Sequence, residues 1–332
     1  MADITKKINT NKQICSLVLY RILSVLTKYA RTKQSKEAII KAKFETAKIV
    51  DCGNSQSLAK TCMEYAPVQR EKGNIEASKA LSIKALDIYM ALNKESNDDS
   101  FLKEIAICLK QAGNYFWETN ELEISEAYYN QALDINLKLF GEHDKNTAKV
   151  YRNLGRLYYE TNRLEKAIET LNLSMKIFRD IDGYDSLEVA PVCINLSKTY
   201  LALKDVNKAN EFADLAIEIT VNNTKFNDNE FIANAWNNKG IILQEQKMFK
   251  DALELHLKSH EIYKTLYGNK HLKYAKTKKM IADCIRHKYP EAADFLYLQT
   301  LEIYKTIESK NKGLSLERYK KCIMEKIKNL NN

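Results

Sequence analysis

The decapeptide LFGEHDKNTA, Leu139 to Ala148, returns in recognisable form as LYGNKHLKYA, Leu266 to Ala275. The copies share Leu, an aromatic residue, Gly and a closing Ala at equal offsets, 127 residues apart. A loop written twice marks an internal repeat, and 127 divides into three steps of about 42, a period typical of stacked supersecondary units. Stepping 42 or 43 residues from Ala148 gives Ala190, Ala233 and Ala275 forward and Ala106 backward, and a further step back of 47 gives Ala59; every one is alanine. Gly141, Gly183 and Gly268 each stand seven residues before a unit start. Such a chain grows by adding units, whereas 332 residues exceed the ~250–300 that one compact core serves.

Inside each unit the pattern is helix, short turn, helix. Counting the alanine as position 1, positions 4, 7, 8 and 11 read Tyr151, Leu154, Gly155 and Tyr158 in the clearest copy. The neighbours read Leu109, Ala112, Gly113 and Phe116, then Cys193, Leu196, Ser197 and Tyr200, then Trp236, Lys239, Gly240 and Leu243. Steps of 3, 1 and 3 lay one stripe along a helix, and a small residue at position 8 admits a close neighbour. A second stripe follows at positions 20, 24 and 27, as in Ala167, Leu171 and Ser174. Only 9 Gly and 3 Pro occur, too few for the turns of a sheet-rich chain, so helix is the expectation. Pro191 and Pro290 fall at helix starts, where the missing N–H costs little, whereas Pro67 falls mid-helix and predicts a kink or break.

These stripes resemble the tetratricopeptide repeat, W-x2-L-G-x2-Y followed by A-x3-F, over roughly residues 59–304. The long period and the loops before helix A are similar to repeats of the kinesin light chain type, which read G-x-x-H-P-x-x-A. Here Leu272 replaces the Pro of one loop, and His143 stands one place early in the other. The heptad coiled coil that precedes those repeats has no counterpart in residues 1–58. The resemblance implies an all-α fold, a right-handed superhelix (α-solenoid) of stacked helix-turn-helix units. The organisation expected is a degenerate helical hairpin over 1–58 and a superhelix over 59–308 with units starting near 59, 106, 148, 190, 233 and 275. A capping helix over 309–332 closes it.

The resemblance also implies a site. Helix A of such a unit lines the concave face through positions 2, 5, 6, 9, 12 and 13. These slots hold Lys110, Asn114 and Trp117, then Lys149, Arg152, Asn153, Arg156 and Tyr159. Asn195 and Lys198 follow, then Asn234, Asn237 and Asn238. Asn153, Asn195 and Asn238 share position 6, where family members hold a peptide backbone, and an amide can both donate to and accept from an extended chain. Arg and Lys would take the peptide's carboxylates. The expected function is a non-catalytic interaction scaffold binding an extended acidic peptide. The family's clamp for a C-terminal carboxylate is matched by Lys110, Asn114 and Asn153, but Pro191 and Asn195 stand where it wants Lys and Arg.

Other chemistry finds little support. His256 and His260 are four apart on a helix B, but no Glu follows His256 as in HExxH, so packing is the reading and no metal or cofactor is expected. The seven cysteines form no CxxC pair, and Cys62 and Cys193 fall at the apolar position 4, which predicts buried thiols. The run ICSLVLYRILSVL, Ile14 to Leu26, is broken by Arg21 and shorter than the ~18 residues of a membrane span, so a buried helix and a cytoplasmic chain are expected. Residues 1–50 carry 11 Lys/Arg against 3 Asp/Glu, and residues 264–288 carry 8 against 1. The alternative function is therefore an adaptor for nucleic acid or an anionic membrane through these basic ends.

Overall fold

The computed structural model describes residues 19–27, 33–50, 55–96, 98–223, 230–311 and 316–330, and among them every regular element is a helix. The elements are α1 (19–27), α2 (Lys33–Val50), α3 (Gln56–Glu71), α4 (Ile75–Ser96), α5 (Leu102–Glu118), α6 (Leu122–Phe140), α7 (Lys145–Glu160) and α8 (Leu164–Asp182). Then come α9 (Val189–Ala202), α10 (Val206–Asn223), α11 (Glu230–Glu245), α12 (Phe249–Tyr267), α13 (Leu272–Ile285), α14 (Pro290–Lys310) and α15 (Glu317–Leu330). The fold is all-α and of the helical-repeat solenoid class. It divides into two compact units, residues 1–115 and 116–332, with the division inside α5.

In the second unit each helix packs on the next from α6 to α15. The A helices also touch along their own row, α7 on α9, α9 on α11 and α11 on α13. The tighter spacing therefore runs along the A helices, which form the inner side of the row. Packing explains the repeated alanine: Ala148, Ala190, Ala233 and Ala275 are wholly buried, where a longer side chain would push helices apart. Position 8 works the same way. A Cβ on Gly155 would lie 2.5 Å from Cγ of Leu171, at position 24 of helix B.

The two loops that open the sequence are one joint. Gly141, Gly183 and Gly268 all hold positive φ, and each N–H closes the helix before it on the carbonyl of Leu137, Arg179 or Lys264. Asp144 and His271, at matching offsets, then cap α7 and α13 by accepting the N–H of Asn146 and Lys273. His143 is thus not a displaced counterpart of His271: Asp144 holds that place. The turn between helices A and B has its own rule. Gly73, Asn120, Asn162, Lys204 and Lys247, all fourteen residues after a unit alanine, sit in the left-handed region. Each carries the paired backbone bonds of a Schellman motif, for instance Arg163 N–H to the Tyr158 carbonyl with Asn162 N–H to Tyr159.

In the first unit α3 packs between α2 and α4. Pro67 does not break α3, which runs continuously from Gln56 to Glu71. The reason is compensation: proline leaves the Met63 carbonyl without its N–H partner, and Gln111 Nε2 reaches it from α5 at 3.4 Å. The expectation of a buried helix over 14–26 also needs correction. Residues 14–18 lie outside the described residues, and in α1 Leu19, Ile22, Val25 and Leu26 are all about half exposed. Cys62 and Cys193 are fully buried, and burial pushes their thiols up to about 11 and about 12.

At the far end of the second unit α15 packs on α14. It is also fixed to α13 through Asp283, whose carboxylate accepts from Lys279 (2.8 Å), Lys326 (2.6 Å) and the Tyr297 hydroxyl (2.6 Å). Burial opposes that carboxylate's charge, but Lys279 and Lys326 outweigh it and hold its pKa below the ordinary value.

Candidate functional site

The inner row of A helices in the second unit brings α7, α9, α11 and α13 side by side, and with them most of the slots named from the sequence. Lys110 and Asn114 lie in the first unit; the others lie in the second. On α7, Lys149 and Arg152 do not stand as open cations. Both reach Glu188 at the start of α9, at 3.2 Å and 3.1 Å. Burial works against the Glu188 carboxylate, yet Arg152 and Lys149 hold its pKa below the usual value. One turn on, the Arg156 guanidinium lies 3.7 Å over the Trp117 ring and donates to the Tyr129 hydroxyl at 3.4 Å. One face of Trp117 is therefore taken by Arg156. Asn153 is buried, and Tyr159 is partly exposed.

Lys198, on α9, is in a different state. Its ammonium has no salt bridge or hydrogen bond among the described residues. Burial pushes it down to about 8; Glu160 acts the other way, while Lys276, Arg156 and Lys273 add to the fall. Those charges lie on α7 and α13. Asn195, one turn earlier, is partly exposed, and its carbonyl accepts from Thr199.

The amides of α11 are engaged within the stack. Asn238 is buried and donates to Ser197 Oγ at 2.8 Å. Asn237 Oδ1 pairs with His256 Nδ1 at 3.0 Å, and Asn234 Oδ1 accepts from the Tyr263 hydroxyl at 2.7 Å. Glu230, at the start of α11, takes Lys273 and the Tyr267 hydroxyl. Thus two carboxylates that sequence reasoning passed over, Glu188 and Glu230, tie down cations of this face. Both fall at the entrance to helix A, before the slots that the repeat frame counts, so no slot pointed to them.

His256 and His260 are buried, and burial pushes both down to about 4, so they are neutral packing residues near neutral pH. Among the described residues no group of three or more His, Cys, Asp or Glu could hold a metal ion. No described helix is long and apolar enough to cross a membrane.

The sequence profile of the Tetratricopeptide repeat matches residues 104–180 and 231–306, and a second profile of the same repeat matches 190–222. The chain belongs to the tetratricopeptide repeat family. Among solved structures it is similar to the Rap conjugation gene regulator of plasmid pLS20 in complex with the Phr* peptide, at 18% identity and a TM-score of 0.62, covering 85% of this chain and 72% of that one. It is also similar to BtubC (BKLC) from P. vanneervenii, at 17% identity and a TM-score of 0.50, covering 71% of this chain and 90% of the other. Kinesin light chain-type TPR-like repeats from Podosopora anserina align at 14% identity with a TM-score of 0.44, over 59% of this chain and 92% of theirs. At such identities the likeness is one of fold. No curated protein matches the sequence.

Proposed function

We propose that this tetratricopeptide repeat protein is a non-catalytic interaction scaffold that holds an extended, acidic peptide segment along the inner face of its A helices. The observation that carries this reading is Lys198, a half-buried ammonium with no carboxylate bound to it among the described residues, on a face where Lys149, Arg152 and Lys273 each have one. A partly buried cation without a partner loses part of its hydration, and a ligand carboxylate arriving there would offset that cost. Asn195 offers an amide one turn away for the peptide backbone, and Tyr159 offers an aromatic edge. Arg152 and Lys149 serve as a frame already neutralised by Glu188. The Rap regulator of plasmid pLS20, which shares the fold, is itself in complex with a peptide, Phr*. Fold alone does not transmit function, so the residues must carry the test.

The test is to select binders for the intact chain from a random peptide library and titrate the best one by calorimetry. Asp and Glu should dominate the selected sequences. Lys198→Glu should weaken binding at least tenfold, because like charges in a partly desolvated contact cost several kcal/mol. Lys258→Glu, the same charge change on the exposed face of α12, should change affinity by less than threefold. Equal affinities for wild type and Lys198→Glu would remove this face as the binding site.

A further inference from the structure

In the first unit, α1 turns an apolar face to solvent. Leu19, Ile22, Val25 and Leu26 are 48%, 51%, 55% and 46% exposed. Tyr20, Leu23, Ser24 and Thr27 are less exposed, and the Tyr20 ring lies 5.7 Å from Lys43 Nζ of α2. At 100° per residue the exposed four span one side of the helix and the less exposed four the other. One side of α1 therefore packs, and the other offers four aliphatic side chains that, among the described residues, stay about half exposed.

The charge of the flanking sequence says what kind of surface would cover them. Residues 1–50 carry a net charge of +8. Of the described ones, Arg21, Lys36 and Lys41 are exposed. A second copy docking through the same face would set two such charges against each other. Nucleic acid would answer the charge but leave the aliphatic groups in water. An anionic bilayer surface answers both, because headgroups attract the cations and the acyl boundary takes the side chains. We propose that α1 is an interfacial anchor that inserts Leu19, Ile22, Val25 and Leu26 into an anionic lipid surface, independently of the peptide face.

Vesicle co-sedimentation of the full chain tests this, using phosphatidylcholine alone and phosphatidylcholine with phosphatidylserine at about three to one. The protein should pellet with the anionic vesicles and stay in solution with the neutral ones. The double variant Ile22→Glu, Leu26→Glu should reduce the bound fraction at least tenfold. The control Met90→Glu, Leu173→Glu makes the same charge change at side chains 55% and 49% exposed elsewhere, and should retain most of the binding. Failure of the wild type to pellet with anionic vesicles overturns the proposal. So does an equal loss in the control, which would leave only net charge at work. Light scattering that shows a dimer dissociated by Ile22→Glu, Leu26→Glu would assign the face to a second copy and overturn it too. All exchanged side chains are solvent-exposed, and matching thermal melts confirm that the variants are folded.

Discussion

The α7–α8 and α11–α12 hairpins are the same unit written 85 residues apart, and they solve one packing problem with opposite chemistry. In both, a serine of helix B donates to the carbonyl of the unit alanine: Ser174 to Ala148 at 2.8 Å, Ser259 to Ala233 at 2.9 Å. In both, a glycine at position 8 leaves room for the residue at position 24. In the first hairpin that residue is Leu171, and the contact is apolar. In the second it is His256, whose ring atoms would stand 2.6–3.0 Å from a Cβ on Gly240. His256 pairs through Nδ1 with Asn237, while its Nε2 is buried without a hydrogen bond. The backbone frame thus fixes where volume must be, and leaves polarity free as long as most polar atoms find partners.

The largest expected effects break the shared part of this comparison. Gly155→Leu and Gly240→Leu should each lower stability by ~3 kcal/mol or more, at the upper end of overpacking costs, because a Cβ alone already overlaps a buried neighbour. Urea denaturation checks this, and a midpoint equal to wild type in either variant would mean that the two hairpins do not share position 8. Gly155→Ala combined with Leu171→Ala should recover part of the loss of Gly155→Ala, since the two side chains compete for one space.

The next effect sharpens the difference. His256 is held neutral by burial, with a folded pKa of about 4 against an ordinary 6.5; Asp283 acts upward on it and Lys279 downward. Between those values the unfolded chain binds the proton and the folded chain does not, so stability is complete above 6.5 and falls as pH drops toward 4. His260 behaves alike. Together they should cost a few kcal/mol by pH 4.5. His256→Leu copies the Leu171 arrangement and should flatten the melting temperature against pH between 7 and 4.5. An unchanged slope would show that His256 is charged or solvated in the fold.

The smallest effect concerns the turns. Asn162 and Lys247 occupy the same left-handed position, with φ of 57° and 63°. Lysine pays more there than asparagine does. Lys247→Gly should therefore gain up to ~0.5 kcal/mol, while Asn162→Gly should change little, since glycine also adds entropy to the unfolded chain. Equal shifts from the two replacements would show that side-chain identity does not matter at this turn.

The repeat was legible because its signals are local. Alanine every 42 or 43 residues from Ala106 to Ala275, small position 8 and glycine before helix A all report sterics that each unit repeats by itself. The left-handed turn position was only half visible: Gly73, Asn120 and Asn162 signal it, whereas Lys204 and Lys247 give no hint, and only the Schellman bonds expose it. Pro67 misled for a related reason, because the residue that satisfies Met63 is 48 positions away.

The sequence by itself determined that the chain is a tetratricopeptide array and which side chains pack at each joint. It could not decide the state of the charges on the A helices. That depends on Glu188 reaching back 36 residues to Arg152, on Lys273 meeting Glu230 across 43, and on Lys198 finding no such partner among the described residues. It could not decide the environment of α1 either: an aliphatic stripe reads the same whether a neighbour covers it or solvent does. Packing periodicity is written residue by residue along one helix, while ion pairing and exposure are set by what the tertiary structure brings within a few ångströms. Only the folded array settles them.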